Sequence, residues 1–146
     1  MFRGRYLHTM DAKGRVSLPA EFRSELARRS DRPPMLTNML DCLALFARDD
    51  WETYEDRLAG VDQFRLEGHE MQRFMISGAT ECAPDSQGRI LVPQYLREHA
   101  KLDKEVTIAG VGARIEIWDR ARFDQDLART QARFREISTE VSKIGT

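Results

Sequence analysis

Residues 4–26 read GRYLHTMDAKGRVSLPAEFRSEL and residues 78–100 read GATECAPDSQGRILVPQYLREHA; the two align without a gap at an offset of 74. Six pairs are identical: Gly4/Gly78, Asp11/Asp85, Gly14/Gly88, Arg15/Arg89, Pro19/Pro93 and Arg23/Arg97. Val16/Ile90, Leu18/Val92 and Phe22/Leu96 keep their apolar character, so buried positions repeat along with polar ones. A duplicated unit changes the reading of the whole chain, because one supersecondary pattern must then be built twice.

In both copies Asp-x-x-Gly-Arg reads as a turn: the aspartate accepts from backbone N–H groups ahead of it, and glycine supplies a positive φ. Arg-Val-Ser-Leu-Pro and Arg-Ile-Leu-Val-Pro then read as strands. Pro19 and Pro93 are expected at the first position of short helices through Phe22 and Leu26, and through Leu96 and Ala100. A weaker echo follows at an offset of 72, where LALFARDDW (residues 43–51) matches IEIWDRARF (residues 115–123), setting Phe46 against Trp118 and Trp51 against Phe123.

After each short helix a hairpin is expected: residues 35–41 with 42–47, and residues 105–109 with 114–118 around Gly110-Val-Gly112. Asp49 or Asp50 and Asp119 are candidate helix starts. A helix over residues 49–60 buries Trp51 and Leu58, and residues 64–76 carry Phe64, Met71, Phe74 and Met75 at near-helical spacing. A long final helix, residues 120–143, carries Phe123, Leu127, Phe134, Ile137, Val141 and Ile144; this stripe packs either within the chain or on a neighbouring subunit. The fold expected is α+β, a pseudo-duplicated swapped-hairpin unit with peripheral helices. Its division is residues 4–48 (first unit), 49–76 (helical connector), 77–120 (second unit) and 121–146 (C-terminal helix).

The chain has 146 residues, 41% of them hydrophobic, and a formal net charge of −1. Its total charge therefore does not mark a nucleic-acid binder, and any basic site must be local. No apolar run is long enough for a signal peptide or a membrane span, so the expected location is the cytoplasm. Cys42 and Cys82 read as small buried residues, and His8, His69 and His99 lack metal-ligand spacing; no metal or other cofactor and no small-molecule substrate is expected. No Gly-x-Ser-x-Gly or Walker-type loop occurs, and Gly110-Val-Gly112 is too short for a dinucleotide fingerprint, so the chain is not read as an enzyme. The acidic groups at Asp49-Asp50 and Glu55-Asp56 read as exposed helical charges.

MFRGRYLHTMDAKGRVSLP followed by GATECAPDSQGRILVP closely resembles the MraZ family of bacterial transcription regulators, whose members carry two units of the AbrB/SpoVT type. The resemblance spans nearly the whole chain and rests on both Asp-x-x-Gly-Arg turns, both prolines and the spacing between repeats. It implies interlocked hairpins closing a double-split β-barrel within one chain. It also implies ring-shaped homo-oligomers, association with the nucleoid, and repression of the division and cell-wall operon that the regulator's own gene begins. The implied target is double-stranded DNA carrying short G-containing direct repeats.

Charge divides the two units. Residues 1–15 hold Arg3, Arg5, Lys13 and Arg15 against Asp11, a net +3, whereas residues 75–89 hold Arg89 against Glu81 and Asp85, a net −1. The first unit is therefore expected to face the phosphates. Arg15 is the candidate base reader, because a guanidinium can bond both acceptors on a guanine's major-groove edge. Arg3, Arg5 and Lys13 are candidates for phosphates or adjacent bases, and Arg89 is a weaker candidate for contact. Asp11, Gly14, Asp85 and Gly88 are assigned to forming the turns, and Arg23 and Arg97 to structure or an interface. An open alternative is that Arg15 and Arg89 simply pair with Asp11 and Asp85. Two rival functions are a ring-forming protein-interaction module without specific DNA readout and an antitoxin-like DNA binder of the same superfamily.

Overall fold

A computed structural model describes residues 1–62 and 64–144. The first half supplies β1 (Arg5–Thr9), β2 (Arg15–Ser17), α1 (Ala20–Arg29), β3 (Met35–Met39), β4 (Cys42–Phe46) and α2 (Arg48–Ala59). After α3 (Leu66–Ser77), the second half repeats the order with β5 (Thr80–Glu81), β6 (Arg89–Leu91), α4 (Gln94–Ala100), β7 (Glu105–Val111), β8 (Arg114–Asp119) and α5 (Arg120–Ala132), followed by α6 (Phe134–Ile144).

The strands exchange between halves. A six-stranded antiparallel sheet runs β1-β7-β8-β4-β3-β5, and a two-stranded ribbon pairs β2 with β6. β1 thus lies on the hairpin of the second half and β5 on that of the first, which is the interlocking expected of a swapped-hairpin α+β fold. Period-two burial follows from the pleat. Val106, Ile108, Ile115, Ile117, Leu43, Leu45 and Leu36 line one face of the sheet, where Val16 and Ile90 of the ribbon, Phe22 and Leu26 of α1, and Leu96 of α4 close the main core. Each such side chain contributes about 1.5–3 kcal/mol through burial. The opposite face is covered by helices. Phe46 meets Trp51 of α2 at 5.6 Å between ring centroids, and Trp118 meets Phe123 of α5 at 5.6 Å, so the weaker sequence echo is a repeated strand-to-helix aromatic clasp.

Cys42 and Cys82 are free and buried, and burial pushes the Cys82 thiol up to about 12. Asp119 caps α5, accepting from the Arg122 amide.

Several local expectations shift. Pro19 and Pro93 are the capping residues just before α1 and α4, with extended ψ of 140° and 152°, because their carbonyls accept the first helical amides. Asp49 and Asp50 lie inside the first turn of α2 after an Ala47 cap, where they pair with Arg32 and Arg29. β7 continues through Val111, so the second-half hairpin turns at Gly112-Ala113; Gly110 is a strand residue opposite Ile115. Gly110 must be small for another reason: the backbone of Phe2 and Arg3 crosses where its side chain would stand, and its amide donates to the Gly4 carbonyl at 2.9 Å.

Of the apolar residues at near-helical spacing over 64–76, only Met75 is buried; Phe64, Met71 and Phe74 are exposed. α3 meets the sheet along one line, where the Thr37 hydroxyl donates to the Met75 carbonyl at 2.6 Å. The long C-terminal helix is two helices, broken at Arg133 (φ −111°, ψ 11°) without a proline or glycine to mark the break. Phe123 of α5 is packed on Trp118 of the sheet, whereas no residue of α6 is buried.

Candidate nucleic-acid interface

The β2–β6 ribbon pairs Arg15 with Leu91, Val16 with Ile90 and Ser17 with Arg89. Directly opposed residues of an antiparallel pair share a face, and neighbours alternate. Because Val16 and Ile90 are fully buried, Arg15, Ser17, Arg89 and Leu91 all lie on the outward face. Both arginines are partly accessible, at 33% and 27%, and Leu91 is 59% exposed.

Each end of the ribbon is closed by an Asp-x-x-Gly-Arg turn. Asp11 Oδ1 accepts from the amides of Lys13 (3.0 Å) and Arg15 (2.9 Å), while Oδ2 accepts from Arg15 Nε at 2.6 Å. Asp85 repeats the set with the amides of Gln87 and Arg89, both at 2.9 Å, and Arg89 Nε at 3.1 Å. The Arg15 amide bonded to Asp11 is the main cause that holds this carboxyl below the usual carboxylate range, with the guanidinium adding to it; Asp85 is lowered likewise by the Arg89 amide. Gly14 and Gly88 take φ of +87° and +76°.

The pairing of Arg15 with Asp11 and of Arg89 with Asp85, the alternative left open by the sequence, is present through Nε in both turns. Asp11 and Asp85 occupy only the Nε of their partners, so the terminal amino groups of Arg15 and Arg89 have no hydrogen-bond partner among the described residues. The carboxylate aims the guanidinium and leaves its fork available.

The four cations of the first unit do not form one patch. Lys13 is exposed beside Arg15. Arg5, by contrast, lies on the far face of the sheet, its guanidinium 5.8 Å from the Phe123 ring of α5. It is also at the end of β1 away from the turn, roughly 13 Å from Thr9 at about 3.3 Å per residue. Arg3 precedes it, exposed, next to the Phe2–Gly112 bridge.

Conversely, the second turn is less acidic than its sequence. Glu81 is in β5, bonded to Arg48 at 2.9 Å. Arg23 of α1 crosses to Gly88, and Arg97 of α4 crosses to Gly14. Counting the groups that form or touch each turn, the first has Lys13, Arg15 and Arg97 against Asp11, a net +2, and the second has Arg89 and Arg23 against Asp85, a net +1. The sequence assigns Arg23 and Arg97 to structure or an interface; only the exchange of strands reveals which turns they reach.

Among the described residues no cluster of three His, Cys, Asp or Glu could hold a metal ion, and no helix is long and apolar enough to cross a membrane.

A duplicated chain that exchanges strands between its halves and presents a repeated Asp-x-x-Gly-Arg ribbon defines a swapped-hairpin α+β class of protein. Comparison with known proteins narrows this class. Residues 1–74 and 75–143 each match the family described as "MraZ protein, putative antitoxin-like". The chain is 42% identical over 142 residues to a protein of Carboxydothermus hydrogenoformans, covering 97% of this chain and 96% of that one. It is 41% identical to proteins of Caldanaerobacter subterraneus subsp. tengcongensis and Alkaliphilus oremlandii, over 145 and 146 residues and 99% of each chain. All three relatives bear the name transcriptional regulator MraZ. The chain belongs to the MraZ family.

Proposed function

We propose that this protein is a DNA-binding transcription regulator, non-catalytic, which sets the outer face of the β2–β6 ribbon into the major groove. The observation that carries this reading is the shared outward face of Arg15 and Arg89, each held through Nε with its terminal amino groups unengaged. A two-stranded ribbon fits a groove about 12 Å wide, and an arginine fork matches guanine O6 and N7. Lys13 is placed for a neighbouring phosphate. Arg3 and Arg5, on other surfaces of the protomer, contribute to the long-range field or to a second stretch of DNA.

One ribbon engages few phosphates, and the protein's net charge is −1, so a single protomer binds weakly. Several ribbons in a ring raise the effective concentration at tandem sites, and head-to-tail neighbours suit direct repeats. The exposed Leu66, Met71 and Phe74 of α3, and Phe134, Val141 and Ile144 of α6, supply apolar surface for such assembly. The family resemblance extends the reading to a cytoplasmic, nucleoid-associated repressor of the division and cell-wall operon that includes its own gene.

The test is a footprint on DNA upstream of the protein's own gene, with wild type and Arg15→Ala at one salt concentration. Protection of tandem repeats by wild type and its loss in the variant is the expected result. No protection by wild type overturns the function, and an unchanged footprint in the variant removes Arg15 from the site. The family description also favours a second reading, an antitoxin-like DNA binder; stable co-purification of a toxin encoded beside it would establish that one instead.

A further inference from the structure

The repeated arginines of the short helices are crossed. A methyl group placed on Gly14 would stand 2.9 Å from both Cζ and Nε of Arg97, and one placed on Gly88 would stand 2.6 Å from Cζ of Arg23. Each guanidinium therefore fills the space that a side chain on the turn glycine would take. Arg97 does so at a cost: its Nε is buried and has no hydrogen-bond partner among the described residues. A donor buried without an acceptor is unfavourable, so packing against the turn, and not a hydrogen bond of that nitrogen, keeps it there. Arg23 is exposed, and its side chain has no hydrogen bond or ion pair among the described residues either.

The backbone crosses at the same places. The Val92 amide donates to the Gly14 carbonyl at 2.9 Å, and the Leu18 amide donates to the Gly88 carbonyl at 3.0 Å. Each Asp-x-x-Gly-Arg turn is thus closed internally by its own aspartate and fixed externally by the strand end and helix of the other repeat.

We propose that Arg23 and Arg97 are positioning residues for the DNA face, each holding in place the turn that belongs to the opposite repeat. The inference rests on the reading of the ribbon as the DNA-contacting surface. Its mechanical half, the crossed support of the turns, is measurable without DNA. A guanidinium packed against a glycine restrains the adjoining Lys13 and Arg15, or Arg89, and so the direction in which the forks point. Loss of that support weakens binding without removing a phosphate contact.

The experiment has two arms on the full-length protein. In the first, amide hydrogen exchange without DNA compares wild type with Arg97→Ala and Arg23→Ala. Arg97→Ala should speed exchange at Gly14 and Val92 and leave Gly88 and Leu18 as they were, and Arg23→Ala should do the reverse. In the second, affinity for DNA from the protein's own promoter is measured across a salt series. Arg97→Ala and Arg97→Lys should weaken binding several-fold and equally, with the salt dependence unchanged; a phosphate ligand would instead lose about one unit of slope as Ala and be restored as Lys. Faster exchange at the turn of the variant's own repeat (Gly88 for Arg97→Ala, Gly14 for Arg23→Ala), no change in exchange, or rescue by lysine each overturns the proposal. If Arg97→Ala does not fold, Arg97→Lys and the exposed Arg23 carry the test. Should wild type not bind the promoter, the DNA reading fails while the exchange arm still decides the crossed support.

Discussion

Arg15 and Arg89 stand diagonally across the β2–β6 ribbon on its solvent face, each tied through Nε to the carboxylate four residues before it. Their equivalence makes a prediction that unit-by-unit charge counting would not. Arg15→Ala should weaken promoter binding by about 1–3 kcal/mol, and Arg89→Ala should weaken it measurably as well. Fluorescence anisotropy titrations at fixed salt check both; an Arg89→Ala protein with wild-type affinity would restrict the contact to the first turn.

The carboxylates of Asp11 and Asp85 set an acid limit on the turns. Both are held below the ordinary carboxylate range by the amides and guanidinium they accept from, so their ionised forms are the ones the fold stabilises. That contribution is fully present above the unfolded-state value of about 3.9 and fades as pH falls through the lowered native values. Exchange at the Lys13, Arg15, Gln87 and Arg89 amides, corrected for intrinsic pH dependence, should stay slow down to about pH 4 and rise only below it. Loosening near pH 6 would show that some other group governs the turns.

Gly14→Ala combines two penalties. A side chain at φ +87° costs about 1–2 kcal/mol, and the new methyl group would also displace Arg97. The urea midpoint should fall. Arg97→Ala added to Gly14→Ala should cost less than it does alone, because the contact is already lost; strict additivity of the two would mean that they do not meet.

Thr107 offers a change in the other direction. It is fully buried in β7 opposite Trp118, and its hydroxyl has no hydrogen-bond partner among the described residues. Thr107→Val is expected to leave stability unchanged or raise it by about 1 kcal/mol. Thermal unfolding checks this, and a clear loss of stability would point to an acceptor for that hydroxyl.

How much of this was legible in sequence depended on whether the signal was local. The Asp-x-x-Gly-Arg turns were, because each aspartate bonds amides within four residues of itself. The echo at an offset of 72 was legible as an alignment of Phe46 with Trp118 and Trp51 with Phe123, but the strand-to-helix contacts that those residues make are seen only in the structure. The break at Arg133 carries no proline or glycine and left no such mark. The grouping of cations failed for a different reason: Arg5 and Arg15 are ten residues apart in sequence but are directed to opposite sides of the molecule by the sheet between them. Arg23 and Gly88 are distant in sequence yet touch.

The exchange of β1 and β5 between halves has an evolutionary consequence. A chain cut back to its first repeat would leave β1 without β7, β2 without β6 and β3 without β5. Within one chain each copy therefore depends on the other for its strand partners, but the copies are unequally constrained. Val16 and Ile90 must remain mutual mates, while Lys13 and Gln87, at the exposed tips, have already diverged without disturbing the scaffold.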